Sequence, residues 1–341
     1  MYTLTLDAFP HFTVNTYLVV IGEASAPGYT ALIDTGSSSP ESTAGLEAGM
    51  AAVKAHWGEA VGWDTLSRVV VTHAHPDHAA GLPFVRGRTR APVAAHATDV
   101  PTIEHPQAAR DAAMIQVEDQ LRWAGVPLTG EAGGPMDYAT RLRNRSRNQM
   151  LPQGVSVETV LHGGELLDGH FQIIHTPGHG GGQVCLQLHD VLLSADHLLP
   201  HNSPPLMPER AQRGAGLSHY FNSLGRTEAL SGVNVALGGH GDPMHDWRGR
   251  IVQLRARYQD KLQAVLDAAE EPVSVHDLTL SLFPQINRVQ ALLLLDQTGA
   301  LVEYLARQGE LEMVNPAADR SGADEAALFR KPSGIAATRE D

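Results

Sequence analysis

The chain has 341 residues, of which 43% are hydrophobic and 18% charged, a composition typical of globular rather than disordered proteins. Its formal net charge of −13 disfavours a surface built to hold nucleic acid. No apolar run approaches the length of a membrane span, and the first residues lack the features of an export signal. We therefore expect a cytoplasmic protein, in which the one cysteine, Cys185, is a buried and inert thiol.

The first two thirds of the chain alternate between short apolar runs and helix-like stretches. Each apolar run ends at a polar or glycine-containing turn. This alternation predicts a layered α/β fold. The runs predicted as strands are residues 15–21, 30–33, 68–71, 93–95, 171–174, 183–188, 191–193 and 233–237.

Two segments depart from this alternation. Between residues 98 and 150 a helical segment rich in Ala, Gln and Arg is predicted as an insertion into the main domain, residues 1–248. It is either a lid or substrate wall, or a decoration of the outer surface. Residues 249–315 predict helices and a short strand pair, the layout of a small winged-helix-like domain. The polar residues 316–341 predict a disordered tail.

The chain contains 18 histidines, and several follow predicted strands directly. The strand at 68–71 leads into His-Ala-His-Pro-Asp-His at 73–78, which places three imidazoles and a carboxylate at one strand end. This combination suits zinc, manganese or iron. The first two histidines can face one ion, and after the turn at Pro76 the adjacent Asp77 and His78 can face another.

Three more predicted strands end beside a side chain that can bind metal. The carboxyl ends of strands are where open α/β sheets build their sites. Two ions held close together lower the pKa of a water molecule and polarise a substrate oxygen, a recurrent hydrolytic device. These additional candidates are His179 after residues 171–174, Asp196 after 191–193, and His240 after 233–237.

Two further carboxylates have candidate roles. Asp77 could orient a hydroxide ion or accept a proton from it, and is therefore the candidate catalytic residue. Asp34 stands at a strand end before Thr35 and Gly36. It either orients a metal-binding histidine or forms the turn itself, and the sequence leaves both interpretations open.

The order HxHxDH, TPGHG, a strand ending in Asp, and GGHG resembles the metallo-β-lactamase superfamily over most of residues 1–241. The resemblance implies a four-layer αβ/βα sandwich with a dinuclear centre. Residues 196–200, residues 220–224 and the winged-helix-like domain look like the lactamase-β-like protein 2 branch, often named hydroxyacylglutathione-hydrolase-like. Carried over by motif, the first metal ion would be bound by His73, His75 and His179, the second by Asp77, His78 and His240, with Asp196 bridging the two.

Three functions remain open. The favoured one is hydrolysis of a small ester, thioester or lactone by hydroxide bound to two divalent ions, with zinc first and manganese or iron as alternatives. The second is a phosphodiesterase or endoribonuclease with the same metal cluster. The third is a metal-stabilised scaffold without enzymatic activity, against which the complete ligand set argues. Arginines at 141, 143, 145 and 147 form either a clamp for an anionic substrate or a solvated helix face.

The predicted C-terminal domain is acidic. Residues 251–313 contain five basic and nine acidic side chains, a balance of −4. Domains that read DNA are normally basic. We therefore interpret this domain as a packing, homodimerisation or substrate-wall unit, and we expect a small-molecule substrate as partner rather than nucleic acid or a membrane.

Overall fold

The computed structural model describes residues 1–127, 153–285, 291–320, 323 and 325–332. The chain folds into two compact units, each built from more than one stretch of sequence. As far as their residues are described, the first comprises Met1–Arg110, Met150–Pro204 and Asn222–Ile251, and the second Asp111–Gln149, Pro205–Phe221 and Val252–Asp341.

A six-stranded sheet forms one layer of the first unit. Its strands are β1 (Tyr2–Phe9), β2 (Phe12–Glu23), β3 (Ala26–Ile33), β4 (Arg68–Val70), β5 (Val93–His96) and β6 (Thr159–Leu161), and they lie in that order. Strands β1 to β3 are antiparallel, whereas β4, β5 and β6 continue the sheet in parallel with β3. In β1, Leu4, Leu6 and Ala8 are buried and alternate with exposed residues, as expected of a strand with one solvent face.

A five-stranded sheet forms a second layer of this unit. It contains β7 (Leu166–Leu167), β8 (Phe171–His175), β9 (Val184–Leu188), β10 (Val191–Ala195) and β11 (Val235–Gly238), in the order β11-β10-β9-β8-β7. One apolar core contains Val19 and Ile33 from the first sheet together with Ile173 and Leu186 from the second. The two sheets therefore pack face to face.

Helices pack on the sheets of the first unit and make up most of the second unit. The α-helices of the described residues are α1 (Pro40–Trp57), α2 (Pro76–Ala79), α3 (Leu82–Arg86), α4 (Val100–Glu104), α5 (Pro106–Ala124), α6 (Leu217–Glu228), α7 (Trp247–Ala268), α8 (Val275–Leu282) and α9 (Ala291–Gln308). Helix α1 packs Leu46 against the first sheet in a second apolar core that includes Leu6. In α6, Ser223 donates a hydrogen bond to the Pro177 carbonyl oxygen, beside the second sheet. This is the four-layer αβ/βα sandwich that the sequence predicts.

The second unit is largely helical and contains a small sheet. Its strands are β12 (Val273–Ser274), β13 (Glu312–Met313) and β14 (Leu328–Arg330), with β14 in the middle and antiparallel to both neighbours. The helical C-terminal region is as predicted, while its assignment as a winged helix stays a prediction. None of the described helices combines the length and apolar character that a membrane crossing requires.

Strand β14 corrects one expectation. The sequence predicts disorder from residue 316, but β14 pairs on both sides, and Phe329 is buried against the Trp123 ring at a centroid distance of 5.7 Å. The Leu328 backbone N–H also donates a hydrogen bond to Asn315 Oδ1, so backbone pairing, a polar contact and one buried ring hold the strand. Residues 333–341 lie outside the described residues. So do residues 128–152, which include the end of the predicted insertion and its run of arginines.

Helix α9 buries an acidic side chain, and this leads to a stability prediction. Asp296 is 8% exposed, and burial raises its pKa to about 7. The unfolded chain ionises this group near pH 4, so its stabilising contribution is lost as the pH rises from about 4 through 7. We expect Asp296→Asn to raise the free energy of unfolding by up to about 4 kcal/mol at pH 8, and by less at pH 5.

Urea denaturation at both pH values measures this effect. Asp64 is exposed, and Asp64→Asn is the control that should change stability little at either pH. An equal gain for Asp296→Asn at pH 5 and pH 8 would show that the buried charge is not the cause.

Candidate metal centre

The loops after β4, β8, β10 and β11 bring together all seven side chains that the sequence analysis selected as metal ligands. They form two groups, and within each group the candidate ligand atoms lie within 4.8 Å of one another. We call these groups the first and the second cluster. The first cluster consists of His73, His75 and His179, and the second of Asp77, His78, Asp196 and His240.

A short helix separates the two clusters along the chain. Helix α2 begins at the N-cap His75, with Pro76 in its first turn, where the ring of proline fixes a helical backbone angle. His73 and His75 therefore precede the helix, whereas Asp77 and His78 lie within it. This change from extended to helical backbone explains how six consecutive residues supply both clusters.

Asp196 lies between the two clusters. Its Oδ2 is 3.5 Å from His179 Nε2 of the first cluster, and its Oδ1 is 3.4 Å from His78 Nε2 of the second. The preceding residue, Ala195, has a φ of 43°, a left-handed conformation that is costly for residues other than glycine. The chain therefore adopts an unfavourable backbone conformation at the last residue of β10, directly before Asp196.

Several histidines in the clusters have one ring nitrogen engaged by the protein. His78 Nδ1 is 2.8 Å from Asp34 Oδ2, His240 Nδ1 is 2.6 Å from the Thr13 carbonyl oxygen, and His73 Nδ1 is 3.1 Å from Thr72 Oγ1. Metal-binding histidines almost always use their second nitrogen in this way, because it fixes the ring orientation and the tautomer. In each of these three rings Nε2 is the nitrogen available for a cation.

Asp34 has the orienting role that the sequence left open. It is 2% exposed and, besides holding His78, accepts hydrogen bonds from the Thr72 backbone N–H and from Thr72 Oγ1, each at 2.8 Å. Because Thr72 in turn contacts His73, one buried carboxylate supports a histidine of each cluster. Asp34 also has a φ of 61°, so the turn and the orienting role coexist.

Buried polar atoms in the second cluster test whether a cation fits. Within the described part of the chain, His78 Nε2, His240 Nε2 and Asp196 Oδ1 are buried without a hydrogen-bond partner. Leaving such atoms unsatisfied is costly, and a cation among them removes that cost. Three imidazoles in one cluster, and two imidazoles with two carboxylates in the other, are donor sets that divalent transition metals prefer. The residues present therefore fit such ions.

The side chains of the two clusters shift one another's pKa values. Burial, followed by the charge of His179, lowers the pKa of His75 to about 3. Burial also lowers the pKa of His240, but the carboxylates of Asp196 and Asp77, which lie 3.4 and 3.3 Å from its Nε2, outweigh burial and raise this pKa to about 9. Burial raises the pKa of Asp196, yet the neighbouring imidazoles hold it well below its usual range. Neutral imidazoles and ionised carboxylates are the forms that bind metal, so a cation in the second cluster would have to displace the protons of His78 and His240, whose pKa values the nearby carboxylates raise against the effect of burial.

Other candidates from the sequence lie outside the clusters. His197 Nε2 makes a 2.9 Å hydrogen bond with Thr227 Oγ1, and the His175 ring stacks on His96 at a centroid distance of 3.9 Å. Burial raises the pKa of Cys185 to about 12, as expected of an inert thiol. These residues therefore support the fold around the site.

The structure also adds an aromatic contact that the sequence analysis did not identify. The turn between β1 and β2 presents Phe9 and Phe12, which are 41% and 45% exposed. The Phe12 ring lies 4.7 Å from the His240 ring, measured between centroids. In the sequence, the two phenylalanines are visible only as neighbours of a Pro-His turn. The fold is needed to show that Phe12 borders the second cluster.

Comparison with known proteins decides the family. The chain matches the sequence profile of the Metallo-beta-lactamase superfamily over residues 10–268. It belongs to this superfamily. Members of the metallo-β-lactamase superfamily are generally metal-dependent hydrolases, and the two clusters are the candidate metal ligands in this member.

Solved structures agree with this assignment. A metallo-beta-lactamase family protein from Thermus thermophilus is similar at 26% identity with a TM-score of 0.73, covering 97% of this chain and 98% of that one. A beta-lactamase domain protein from Burkholderia ambifaria is similar at 22% identity with a TM-score of 0.72, covering 97% and 91%. The latter likeness concerns the fold alone. A search of curated protein sequences gives no match.

Proposed function

We propose that this chain is a dinuclear metal-dependent hydrolase that acts on a small ester, thioester or lactone. The observation that carries the proposal is the position of Asp196, with one carboxylate oxygen 3.4 Å from a histidine of the second cluster and the other 3.5 Å from a histidine of the first. A carboxylate between two sets of imidazoles can serve two cations at once. Zinc is the ion that the donor set favours, with manganese and iron as alternatives.

Two bound ions would lower the pKa of a water molecule and polarise the carbonyl oxygen of the substrate. Within the protein, Asp77 is the candidate to orient that water and accept its proton. Its Oδ2 lies 3.3 Å from His240 Nε2 and 3.5 Å from His78 Nε2. Burial raises the pKa of Asp77, but the nearby imidazoles of His240 and His78 outweigh burial and lower it. The carboxylate is therefore ionised at neutral pH, as a general base must be.

The surroundings of the second cluster support an apolar group in the substrate. Phe9 and Phe12 are partly exposed, and Phe12 contacts the His240 ring. An acyl chain that packs on these rings gains apolar burial next to the reacting carbonyl. The net charge of −13 also favours a small neutral substrate over RNA.

The alternatives have less support. An endoribonuclease or other phosphodiesterase rests on the arginines at 141–147, which lie outside the described residues. A non-enzymatic scaffold has no need of a carboxylate that spans both clusters. The lactamase-β-like protein 2 branch, a cytoplasmic location and a homodimer formed through the second unit remain parts of this proposal.

A substrate panel tests the proposal. Zinc-loaded protein would be assayed on nitrophenyl esters of increasing acyl length, an acyl thioester, a lactone, bis-nitrophenyl phosphate and RNA. We expect ester or thioester turnover with kcat/KM rising with acyl length. Turnover of the phosphodiesters alone would replace the proposal with the nuclease alternative.

The Phe12→Ala variant tests the apolar contact within the same panel. It should lower kcat/KM about tenfold for the longest acyl chain and little for acetate, because only the long chain reaches the ring. Trp57 is 67% exposed on α1 and provides the matched control, Trp57→Ala, which should leave both values unchanged. An equal effect of Phe12→Ala on both esters would remove the support for an apolar acyl group.

A further inference from the structure

Asp99 occupies an unusual place between β5 and α4. It is the N-cap residue of α4, where an aspartate normally accepts a hydrogen bond from the first turn of its own helix. No such side-chain cap is formed here. Its Oδ2 instead accepts a hydrogen bond from the backbone N–H of Ala74 at 2.8 Å. The carboxylate is therefore directed away from its own helix and towards the loop after β4.

A second loop contacts the same carboxylate. The backbone N–H of Gly182 also donates a hydrogen bond to Asp99. The approach is so close that a Cβ atom on Gly182 would collide with Oδ1 and Cγ of Asp99. Only glycine fits at position 182 without displacing the carboxylate.

The two loops that Asp99 joins carry every ligand of the first cluster. Ala74 stands between His73 and His75, and Gly182 follows His179 by three residues. Asp99 is 5% exposed, and among the described residues no cationic side chain pairs with it. One buried carboxylate thus fixes the spacing between the two segments whose histidines form the first cluster.

We propose that Asp99 is a positioning residue that sets the geometry, and hence the metal affinity, of the first cluster by tying together its two ligand-bearing loops. This inference rests on the metal centre of the proposed function. It assigns to Asp99 no contact with a metal ion or substrate. His78 and His240 of the second cluster are held by Asp34 and the Thr13 carbonyl oxygen, which are not contacts of Asp99, so we expect loss of Asp99 to affect the first cluster.

The cost of burying this carboxylate supports the proposal. Burial raises the pKa of Asp99 to about 6, although the two backbone N–H groups lower it. An asparagine has the same shape, but it offers one acceptor oxygen and an NH₂ group where Asp99 has two acceptors. The asparagine of Asp99→Asn can therefore accept the hydrogen bond of one loop, while its NH₂ group faces the N–H of the other. Its effect on metal affinity should lie between those of the native residue and alanine.

Cobalt binding to chelator-stripped protein at pH 7.5, followed by visible absorption and chelator competition, tests the proposal. We expect Asp99→Ala to weaken one of the two binding events by about 10- to 100-fold and to leave the other unchanged. Asp99→Asn should have a smaller effect of the same kind. Gly182→Ala, which displaces the carboxylate without removing it, should reproduce the loss.

A core variant and circular dichroism separate positioning from general instability. Leu46 is fully buried on the face of α1 that packs against the first sheet, so Leu46→Ala should lower Tm while keeping both cobalt affinities. Wild-type affinity for both ions in folded Asp99→Ala, or equal weakening of both, would overturn the role of Asp99 alone. A wild-type protein that binds no cobalt would instead overturn the proposed function.

Discussion

Asp196→Ala is expected to lower kcat roughly 10³-fold or more and to weaken metal binding by both clusters. Asp196 is 5% exposed, and its two oxygens lie 3.4 to 3.5 Å from histidines of both clusters. Its removal deletes the negative charge that both sites share and leaves the surrounding imidazoles to repel one another. No other described carboxylate occupies a position between His78 and His179.

The Asp196 prediction is checked by kcat on the best ester and by metal content after gel filtration. The matched control is Asp190→Asn, because Asp190 is exposed and precedes the same strand, β10, that Asp196 follows. The control should retain metal and activity. Full activity of Asp196→Ala with its metal retained would mean that the clusters are not the catalytic centre.

Asp77→Asn is expected to lower kcat by about 10²- to 10⁴-fold while the first cluster keeps its metal affinity. Asparagine preserves the shape of the side chain but cannot accept a proton from water. Asp77 lies 9% exposed in α2, with its Oδ2 3.3 Å from His240 Nε2. The variant therefore removes the candidate base and one charge of the second cluster.

A comparison with His75→Ala separates the roles of the two clusters. His75→Ala removes a ligand of the first cluster and should weaken cobalt binding there, whereas Asp77→Asn should affect only the second. A kcat for Asp77→Asn within a factor of two of the wild type would exclude Asp77 as the base, whatever its metal content.

The candidate metal centre was predictable from the sequence because its side chains follow hydrophobic strands directly. The strand at Arg68–Val70 and the motif at residues 73–78 are adjacent in the chain, and the same holds for Asp196 after β10. The carboxyl ends of these strands lie at one edge of the fold. Side chains that directly follow the strand ends are therefore brought together, although they are far apart in the chain. For this reason every member of both clusters could be identified from the sequence.

The supporting contacts were not predictable in the same way. Asp99 accepts hydrogen bonds from the backbone N–H groups of Ala74 and Gly182, and the carbonyl oxygen of Thr13, in the six-stranded sheet, holds His240, which follows a strand of the five-stranded sheet. Backbone partners have no side-chain signature, so sequence patterns cannot reveal them. Strand β14, which lies in the stretch expected to be disordered, has three residues and is too short to show a period of two.

The metal content of the purified protein tests the central claim most directly. Elemental analysis of protein reconstituted with zinc and passed through a desalting column should give about two ions per chain. Asp196→Ala prepared in parallel should retain fewer. A wild-type chain that is folded by circular dichroism but retains no zinc, manganese or iron after the same treatment would contradict the account.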